Sequence, residues 1–384
     1  MPSKTKTLVI GDGLVGTSAI YTLCKIGYTD VYVSSYKKGA LKKQKLFNQE
    51  IPTSFEDTGG LGRLWHSVCD LGLLNRLNFE PSSLSKKLIG VTKFAKNTEF
   101  VPYFPIRPAK ILKTLKYNSC PPVKLIEPFK NNVKVTFNNK SVDFFDKVLV
   151  CHGALPSEDC LVNSKLAKLS DTVSDHLIAE ISLQKGPLLN KKKKESVTYL
   201  KKGFIRNYFL FNDFEFKFKI TARPVYKKGN AKAFHLDKGI YVGNTIQVLK
   251  RILSKRSLNI LKQSLYLRYG LFSRSNHWKG FINIALPDCY IRKDKNLIID
   301  KSKISNMTSY LRKKGLILDE SSLMSGIHFY NSYKSLSPFV SNNKVENKRI
   351  ILLGPGYNFD VGAEHFTFHM MLIAEKVAKG LYEK

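Results

Sequence analysis

Long apolar runs are missing from this chain of 384 residues. No segment approaches the ~18 consecutive apolar residues that a membrane-spanning helix needs. The first residues lead into a short strand-like run and lack the apolar stretch, roughly 7–15 residues long, of a signal peptide. We therefore expect a cytoplasmic protein, either free or peripheral at the inner face of a membrane.

Clustered cysteines are also missing. The 6 cysteines are spread along the chain without the close spacing of a metal site or a disulfide framework, which is typical of a reducing compartment. Hydrophobic residues make up 43% of the chain, so the composition excludes a disordered or collagen-like protein.

Acidic residues are scarce. The chain has 30 Asp and Glu against 63 Lys and Arg, which gives a formal charge of +33. Such a charge bears on partners and not on the fold. Two interpretations stay open: a lysine-rich bias spread over the whole chain, or a functional surface for a polyanion or an anionic membrane. Denser basic stretches lie at 37–45, 191–194 and 251–256.

A glycine-rich turn follows the first strand-like run, Thr7–Ile10. Gly11, Gly13 and Gly16 have the spacing G-x-G-x-x-G, and a helical pattern then leads to a second strand at Val31–Val33. In this context the first glycine permits a tight turn, the second lets a pyrophosphate approach the backbone, and the third lets the helix pack on the strand. The segment predicts a dinucleotide-binding unit.

The start of that helix is the predicted phosphate site. Its free N–H groups and positive dipole end favour anions, which adds Leu14 and Val15 to the predicted cofactor contacts. The second strand ends at Ser34, where the pattern calls for an acidic residue to bind the ribose. A serine hydroxyl can hydrogen-bond the ribose more weakly than a carboxylate, and we predict that contact.

Three later segments contain glycine turns or glycine-rich loops. The stretch Gly59–His66 combines glycines with Arg63 and suits a loop wrapped around a cofactor. The run 144–155 predicts a buried strand that ends at Gly153. The run 349–354 predicts another strand that ends at Gly354, ahead of an amphipathic terminal helix.

Taken in order, these segments resemble the FAD-dependent glucose–methanol–choline oxidoreductases. Besides the N-terminal glycines, the matching pieces are distributed from end to end: Gly59-Gly60, Lys147–Leu155, Asp175-His176, Ser325–His328, and His365 with the closing helix. The chain is shorter than typical members. It also departs from the family pattern H-P-x-G-T at 328–332, which leaves the substrate class open.

The resemblance implies oxidation of an alcohol by hydride transfer to FAD. His328 would be the catalytic base that accepts the hydroxyl proton, and His365 would be its hydrogen-bonding partner. Histidine suits this task because its unperturbed pKa lies near the operating pH. Tyr330 and Asn331 are candidate substrate contacts. Ordinary structural roles for these four residues are the alternative.

The predicted FAD contacts belong to the glycine turns and to their neighbours. They are Gly11, Gly13, Leu14, Val15, Gly16, Ser34, Gly59, Gly60, Gly62, Arg63, His66, Gly153, Gly354, Glu364 and Phe366. His66 is either a flavin-edge contact, a covalent attachment point or a structural histidine. No metal is predicted, because His365 and His369 lack a third ligand.

The predicted fold class is α/β. A Rossmann-like FAD-binding domain with a doubly wound parallel sheet would comprise residues 1–176 and 341–384. A mainly antiparallel substrate-binding domain would be inserted at 177–340, where aromatic and β-branched runs indicate short strands. The basic run 191–194 is predicted to be a solvated loop.

The leading functional interpretation is an FAD-dependent oxidoreductase acting on a CH–OH group. The substrate would be a small-molecule alcohol, a sugar, or a sugar within a glycan or glycolipid, and the electron acceptor stays open. The alternative is a flavoprotein that binds nucleic acid or another polyanion, such as an RNA-modifying flavoenzyme. Lysine dominates and no stacking motif is evident, so nucleic acid is the less favoured partner. A non-catalytic binding module is the third interpretation.

Overall fold

The structure is a computed structural model that describes most of both ends of the chain and parts of its middle. The described residues are 5–35, 40–47, 49–56, 58–60, 69–70, 84, 99–100, 107–184, 194–199, 204–212, 217–224, 277–294, 296–313, 315–326, 329–330, 349–355 and 366–381.

Strands outnumber helices in the described part of the chain. The strands are β1 (Thr7–Ile10), β2 (Val31–Ser34), β3 (Ala40–Leu46), β4 (Gln49–Glu56), β5 (Cys69–Asp70), β6 (Glu99–Phe100), β7 (Asn118–Cys120), β8 (Val123–Phe129), β9 (Asn132–Phe137), β10 (Val142–Phe145), β11 (Lys147–Val150), β12 (Thr172–Gln184), β13 (Lys194–Tyr199), β14 (Phe204–Asn212), β15 (Lys217–Pro224), β16 (His277–Lys293), β17 (Asn296–Ile299), β18 (Leu316–Ser325) and β19 (Ile350–Leu352). The helices are α1 (Leu14–Lys25), α2 (Pro108–Leu112), α3 (Ala154–Asn163), α4 (Lys301–Lys313) and α5 (Phe366–Gly380).

A five-stranded parallel sheet carries the N-terminal glycine turn. Its strand order is β19-β11-β1-β2-β7, and all four pairings are parallel. Every residue of β1 is buried, so both faces of the sheet are covered, as parallel sheets require. Helices α1 and α5 pack against each other and contribute to the core of this sheet, with Leu23 of α1 and Ile373 of α5 among its buried residues.

The connection from β7 to β11 departs from a helical crossover. Two parallel strands of one sheet need a long connection, and here β8, β9 and β10 form a three-stranded antiparallel sheet that provides it. Val133, Val135 and Phe137 of β9 are buried in the same core as the parallel strands, while alternate residues face outward. This three-stranded sheet covers the parallel sheet where a doubly wound fold would place a helix.

A second, larger sheet is mainly antiparallel. Its order is β18-β12-β16-β15-β14-β13-β6-β5, with β17 paired to β16, and the β13–β6 pairing is its parallel contact. Strands β12, β16 and β18 bury an apolar face together with α4, which contributes Met307 and Leu311. The antiparallel hairpin β3–β4 adds Leu46 and Ile51 to this second core.

The predicted fold class is confirmed: a parallel α/β sheet with the glycine turn is joined to a mainly antiparallel sheet. Strand β19 at the far end of the sequence returns to pair with β11, so seven of the nine strands of the large sheet, β12 to β18, lie between these two strands in sequence. The predicted domain boundary at 176/177 lies inside β12, and the division into domains stays a prediction.

The end of the basic run 191–194 differs from the prediction. Lys194 was expected in a loop and instead begins β13, where it pairs with Phe209, while 191–193 lie outside the described residues. Within the described part of the chain, no helix is both long and apolar enough to cross a bilayer.

Candidate cofactor site

The turn after β1 is shaped by close backbone packing at two glycines. Gly11 has φ +97°, and a Cβ there would lie 2.8 Å from the carbonyl oxygen of Cys151. A Cβ on Gly16 would lie 1.9 Å from the carbonyl oxygen of Gly11. Glycine at these two positions is therefore required by the protein itself, because β1, α1 and the end of β11 approach too closely for a side chain.

Gly13 is different. Its backbone, with φ −64° and ψ −169°, is one that any residue can adopt. A Cβ there would meet only the carbonyl oxygen of Gly59, at an ordinary 3.9 Å. Neither conformation nor packing within the described chain explains glycine at this position. A ligand that lies against the backbone would explain it.

The helix start beside Gly13 favours an anion. Gly13 is the N-cap of α1, it offers no capping side chain, and no acidic residue occupies the first turn. The first amides of a helix have no acceptor within the helix, and they carry its positive dipole end. The backbone amides near Leu14 and Val15 could therefore accommodate a phosphate group, and their role as cofactor contacts stays a prediction.

A contact between Asp12 and Gly59 joins the second predicted loop to this turn. The amide of Gly59 donates to Asp12 Oδ1 at 3.2 Å, and Asp12 is buried. Gly59 and Gly60 both have positive φ, +93° and +47°, so the loop backbone bends where it meets the turn. The structure thus brings together two predicted segments that are far apart in sequence. Asp12 itself was not predicted, because it occupies a variable position of the glycine pattern.

The remaining glycine turns lie at the same edge of the parallel sheet. Gly153 and Gly354 follow β11 and β19 and have φ +87° and +91°. A Cβ on Gly354 would contact the side chain of Val15 at 3.6 Å. Because the carboxyl ends of parallel strands meet at one edge, these turns border the crevice where open α/β sheets bind ligands.

His152 also lies at this edge and was not predicted. Its Cδ2 would lie 2.9 Å from a Cβ on Gly11, which places the imidazole against the glycine turn. Both ring nitrogens are buried, and burial lowers the pKa of His152 from 6.5 to about 4. The imidazole is therefore neutral near pH 7 and adds no positive charge at this edge of the sheet. In the sequence, the strand that ends in a glycine turn around 150–153 was the pattern that could have indicated His152.

Ser34 is placed differently from the prediction. The residue is fully buried, its hydroxyl donates to the carbonyl oxygen of Pro121 at 2.8 Å, and the amide of Val123 donates to the same hydroxyl at 3.1 Å. These bonds fasten β2 to the segment between β7 and β8. The predicted ribose contact gains no support from this arrangement.

A second polar cluster lies where β12, β16 and β18 meet. The buried carboxyl of Asp175 accepts from Tyr290 Oη at 3.0 Å and from Ser325 Oγ at 2.5 Å through Oδ2. Its Oδ1 accepts from the amide of His176 at 2.7 Å. The Asp175-His176 pair is thus part of the sheet interior.

Tyr330, a predicted substrate contact, pairs with β12 through its backbone. Its amide donates to the carbonyl oxygen of Ser174 at 3.0 Å, and the amide of Ser174 donates back at 3.1 Å. Its ring lies edge-on to His176 with centroids 6.3 Å apart, and burial raises the pKa of its phenol. Gly326, four residues earlier, donates from its amide to the carbonyl oxygen of His176 at 2.6 Å.

Several predicted residues lie outside the described residues, and their roles stay predictions. They are Gly62, Arg63, His66, His328, Asn331, Glu364 and His365. The backbone of Phe366 begins α5. Among the described residues, no group of three or more His, Cys, Asp or Glu side chains could hold a metal ion.

Comparison with solved structures places the fold. Pyridoxine 4-oxidase from Mesorbium loti matches with a TM-score of 0.51 and 10% identity, over 99% of this chain and 100% of that one. FqzB matches with a TM-score of 0.41 and 10% identity, over 100% and 77%. HpxO from Klebsiella pneumoniae, complexed with FAD, matches with a TM-score of 0.38 and 12% identity, over 99% and 82%.

At such low identities the likeness concerns the fold alone. No protein-family model matches the sequence, and no curated protein matches it. The chain has the fold of pyridoxine 4-oxidase, and this likeness extends to no further property.

Proposed function

We propose that this chain is an FAD-dependent oxidoreductase that oxidises a CH–OH group. The observation that carries the proposal is the open position at Gly13, where neither φ nor packing in the described chain requires glycine. It lies at the N-terminus of α1, at the carboxyl edge of a parallel sheet, where a pyrophosphate is bound in this type of fold. One solved structure with the same fold, pyridoxine 4-oxidase, is named an oxidase.

The described residues fit the phosphate-bearing part of FAD. The amides at the start of α1 would bind the pyrophosphate, and Gly13 would let it approach the backbone. The Asp12–Gly59 hydrogen bond holds the second glycine loop beside this turn. Gly354 and Val15 form the neighbouring wall, and the neutral imidazole of His152 adds bulk without charge.

The catalytic roles extend the resemblance to the glucose–methanol–choline oxidoreductases. Bound FAD would supply the acceptor for the hydride that leaves the alcohol carbon. His328 would accept the hydroxyl proton, and His365 would hold the substrate oxygen by a hydrogen bond. Tyr330 and Asn331 would contact the substrate. The substrate class is proposed as an alcohol or a sugar, including a sugar carried on an anionic or membrane-attached glycan.

The test of the cofactor site is the substitution Gly13→Val. A valine there would occupy the space proposed for the pyrophosphate, while the described chain leaves room for it. Gly380→Val is the matched control, because a Cβ on Gly380 meets nothing within 4 Å and lies at the far end of α5.

Each protein would be purified, its flavin absorbance measured, and its apoprotein titrated with FAD. We expect the wild-type chain and Gly380→Val to bind one FAD, and Gly13→Val to melt normally as apoprotein but to bind little FAD. Stoichiometric FAD in Gly13→Val would overturn the assignment of this turn.

A further inference from the structure

An exposed apolar face lies on the three-stranded sheet β8–β10. Phe129, Val142 and Phe144 are 43%, 47% and 40% exposed. Val142 and Phe144 are two residues apart on β10 and therefore share a face. Phe129 joins them from β8, because its ring centroid is 5.4 Å from that of Phe144. Large apolar side chains that are grouped on one solvent-facing surface mark a site of interaction.

Lysines surround this face. Lys130 and Lys140 lie in the two hairpin turns at opposite ends of the sheet, and Lys124 is exposed on β8. None of these three makes an ion pair with a described residue. Lys134, opposite Phe144 on the central strand, pairs with Glu127 at 3.1 Å, so the acidic side chain within the face is already neutralised.

The two turn lysines also share an unusual backbone conformation. Lys130 has φ +47° and Lys140 has φ +68°, in the left-handed region that glycine and asparagine occupy more easily. A lysine therefore costs conformational energy at both ends of the same face.

We propose that this face binds an anionic lipid bilayer, with the phenylalanines and Val142 in the interfacial layer and Lys124, Lys130 and Lys140 near the lipid headgroups. The pattern of apolar centre and lysine rim is that of interfacial membrane binding. Basic residues near an anionic surface add to the attraction. The proposal does not depend on the chemistry proposed for the cofactor site.

Other occupants fit the face less well. A second copy of this chain would bring two surfaces with lysine rims together in a protein of charge +33, and like charges repel. Single-stranded nucleic acid is typically bound with its bases stacked on open aromatic faces. Here the two phenylalanine rings contact each other, the Lys130 ammonium lies 5.6 Å from the centroid of Phe129, and Val142 offers no ring.

The experiment measures binding of the full chain to phosphatidylcholine vesicles with and without phosphatidylglycerol. We expect binding only when phosphatidylglycerol is present. The double variant Phe129→Ser/Phe144→Ser should lower the partition coefficient by ~10-fold or more, because two large apolar side chains no longer enter the interface. Lys130→Gln/Lys140→Gln should lower it by about fivefold for each lysine.

The matched control is Ile291→Ser/Ile298→Ser. These isoleucines are 40% and 44% exposed and lie opposite each other on β16 and β17, so they form a comparable apolar pair elsewhere. We expect this variant to bind vesicles as the wild-type chain does. Thermal melting of every variant verifies that the fold is retained.

A spectroscopic reading makes the test independent of the serine variants. In Phe144→Trp, the added indole should shift its emission to shorter wavelength and be quenched by brominated lipid in anionic vesicles. The two natural tryptophans provide the background measured in the wild-type chain.

Three results would overturn the proposal. One is vesicle binding that is the same for Phe129→Ser/Phe144→Ser and the wild-type chain. Another is loss of single-stranded RNA binding in that variant with vesicle binding intact, which would make the face a nucleic-acid surface. The third is a wild-type dimer in sedimentation that the variant abolishes, which would make it an interface between copies.

Discussion

At the scale of single residues, His152 shows how position in the fold sets a protonation state. Burial against the glycine turn lowers its pKa from 6.5 to about 4, so the folded chain disfavours the imidazolium. In the unfolded chain the ring titrates near its ordinary value. Between these two pKa values the unfolded state binds a proton that the folded state does not bind.

This difference predicts a pH dependence of stability. The contribution of neutral His152 is fully present above about pH 6.5 and is lost as the pH falls toward about 4, because protonation then favours unfolding. In His152→Gln this dependence should disappear. The measurement is the free energy of unfolding in urea, without FAD, at a series of pH values. Parallel curves for the two proteins across this window would contradict the prediction.

The proposed base gives the second prediction at this scale. If His328 accepts the hydroxyl proton, His328→Ala should slow flavin reduction by roughly 10²–10⁴-fold while FAD stays bound. His365→Asn should be milder, because an amide still hydrogen-bonds the substrate oxygen. Anaerobic stopped-flow bleaching of the flavin against a panel of alcohols measures both. A wild-type rate in His328→Ala would remove the role, and loss of FAD would indicate a structural histidine instead.

At the scale of elements, one carboxyl group links three strands of the large sheet. Asp175 on β12 accepts hydrogen bonds from Tyr290 on β16 and Ser325 on β18, and all three residues are buried. A second link joins α3 to β16, where Glu158 pairs with Arg292 and also accepts from the amide of Ser170 at 2.7 Å. Buried polar groups need hydrogen-bonding partners, so these side chains depend on one another for their hydrogen bonds.

Removing the carboxyl therefore predicts a large loss of stability. Asp175→Ala removes the shared acceptor of two buried hydroxyls, and each buried hydrogen bond that cannot be replaced costs about 1–3 kcal/mol. Tyr290→Phe removes one donor and leaves the carboxyl its other partners, so it should cost only about 1 kcal/mol. The exposed Asp159→Ala on α3 is the control. Urea unfolding that ranks Tyr290→Phe at or above Asp175→Ala would show that Asp175 is not the centre of this cluster.

The same scale shows what the sequence can and cannot predict. The order strand, glycine turn, helix, strand over Thr7–Ser34 depends on neighbours along the chain, so local pattern was enough. The three-stranded sheet β8–β10 was not predicted as a crossover, because alternation of side chains does not say which strands a sheet connects. Its strands fill a place where helices are expected.

Contacts between distant segments were beyond local pattern. Ser34 looked like a ribose ligand because it ends a strand, but its hydroxyl bonds Pro121 and Val123, 87 and 89 residues away. The Asp12–Gly59 bond spans 47 residues. The burial of His152 likewise depends on Gly11 lying beside it. The sequence therefore predicted the strands and glycine turns of the parallel sheet, while the partners of individual side chains follow from topology.

At the scale of the whole molecule, the charge of +33 can act through many lysines or through a few. The face on β8–β10 holds three exposed lysines, and substituting Lys124, Lys130 and Lys140 by Gln changes the formal charge only to +30. A flexible polyanion responds to the charge of the whole chain. A flat bilayer contacts one face. Binding to a polyanion and binding to a bilayer therefore distinguish whether the charge acts through many lysines or through these three.

This distinction gives the last prediction. The wild-type chain should bind heparin at low salt and lose affinity steeply toward physiological salt, where the screening length is about 8 Å. The triple glutamine variant should retain most of its heparin affinity, because the remaining basic residues still attract the polyanion, but lose most binding to anionic vesicles. Binding isotherms over a salt series measure both. Equal losses on heparin and vesicles would mean that the three lysines dominate all polyanion binding. No heparin binding by the wild-type chain at low salt would mean that its lysine content is a compositional bias without a polyanion partner.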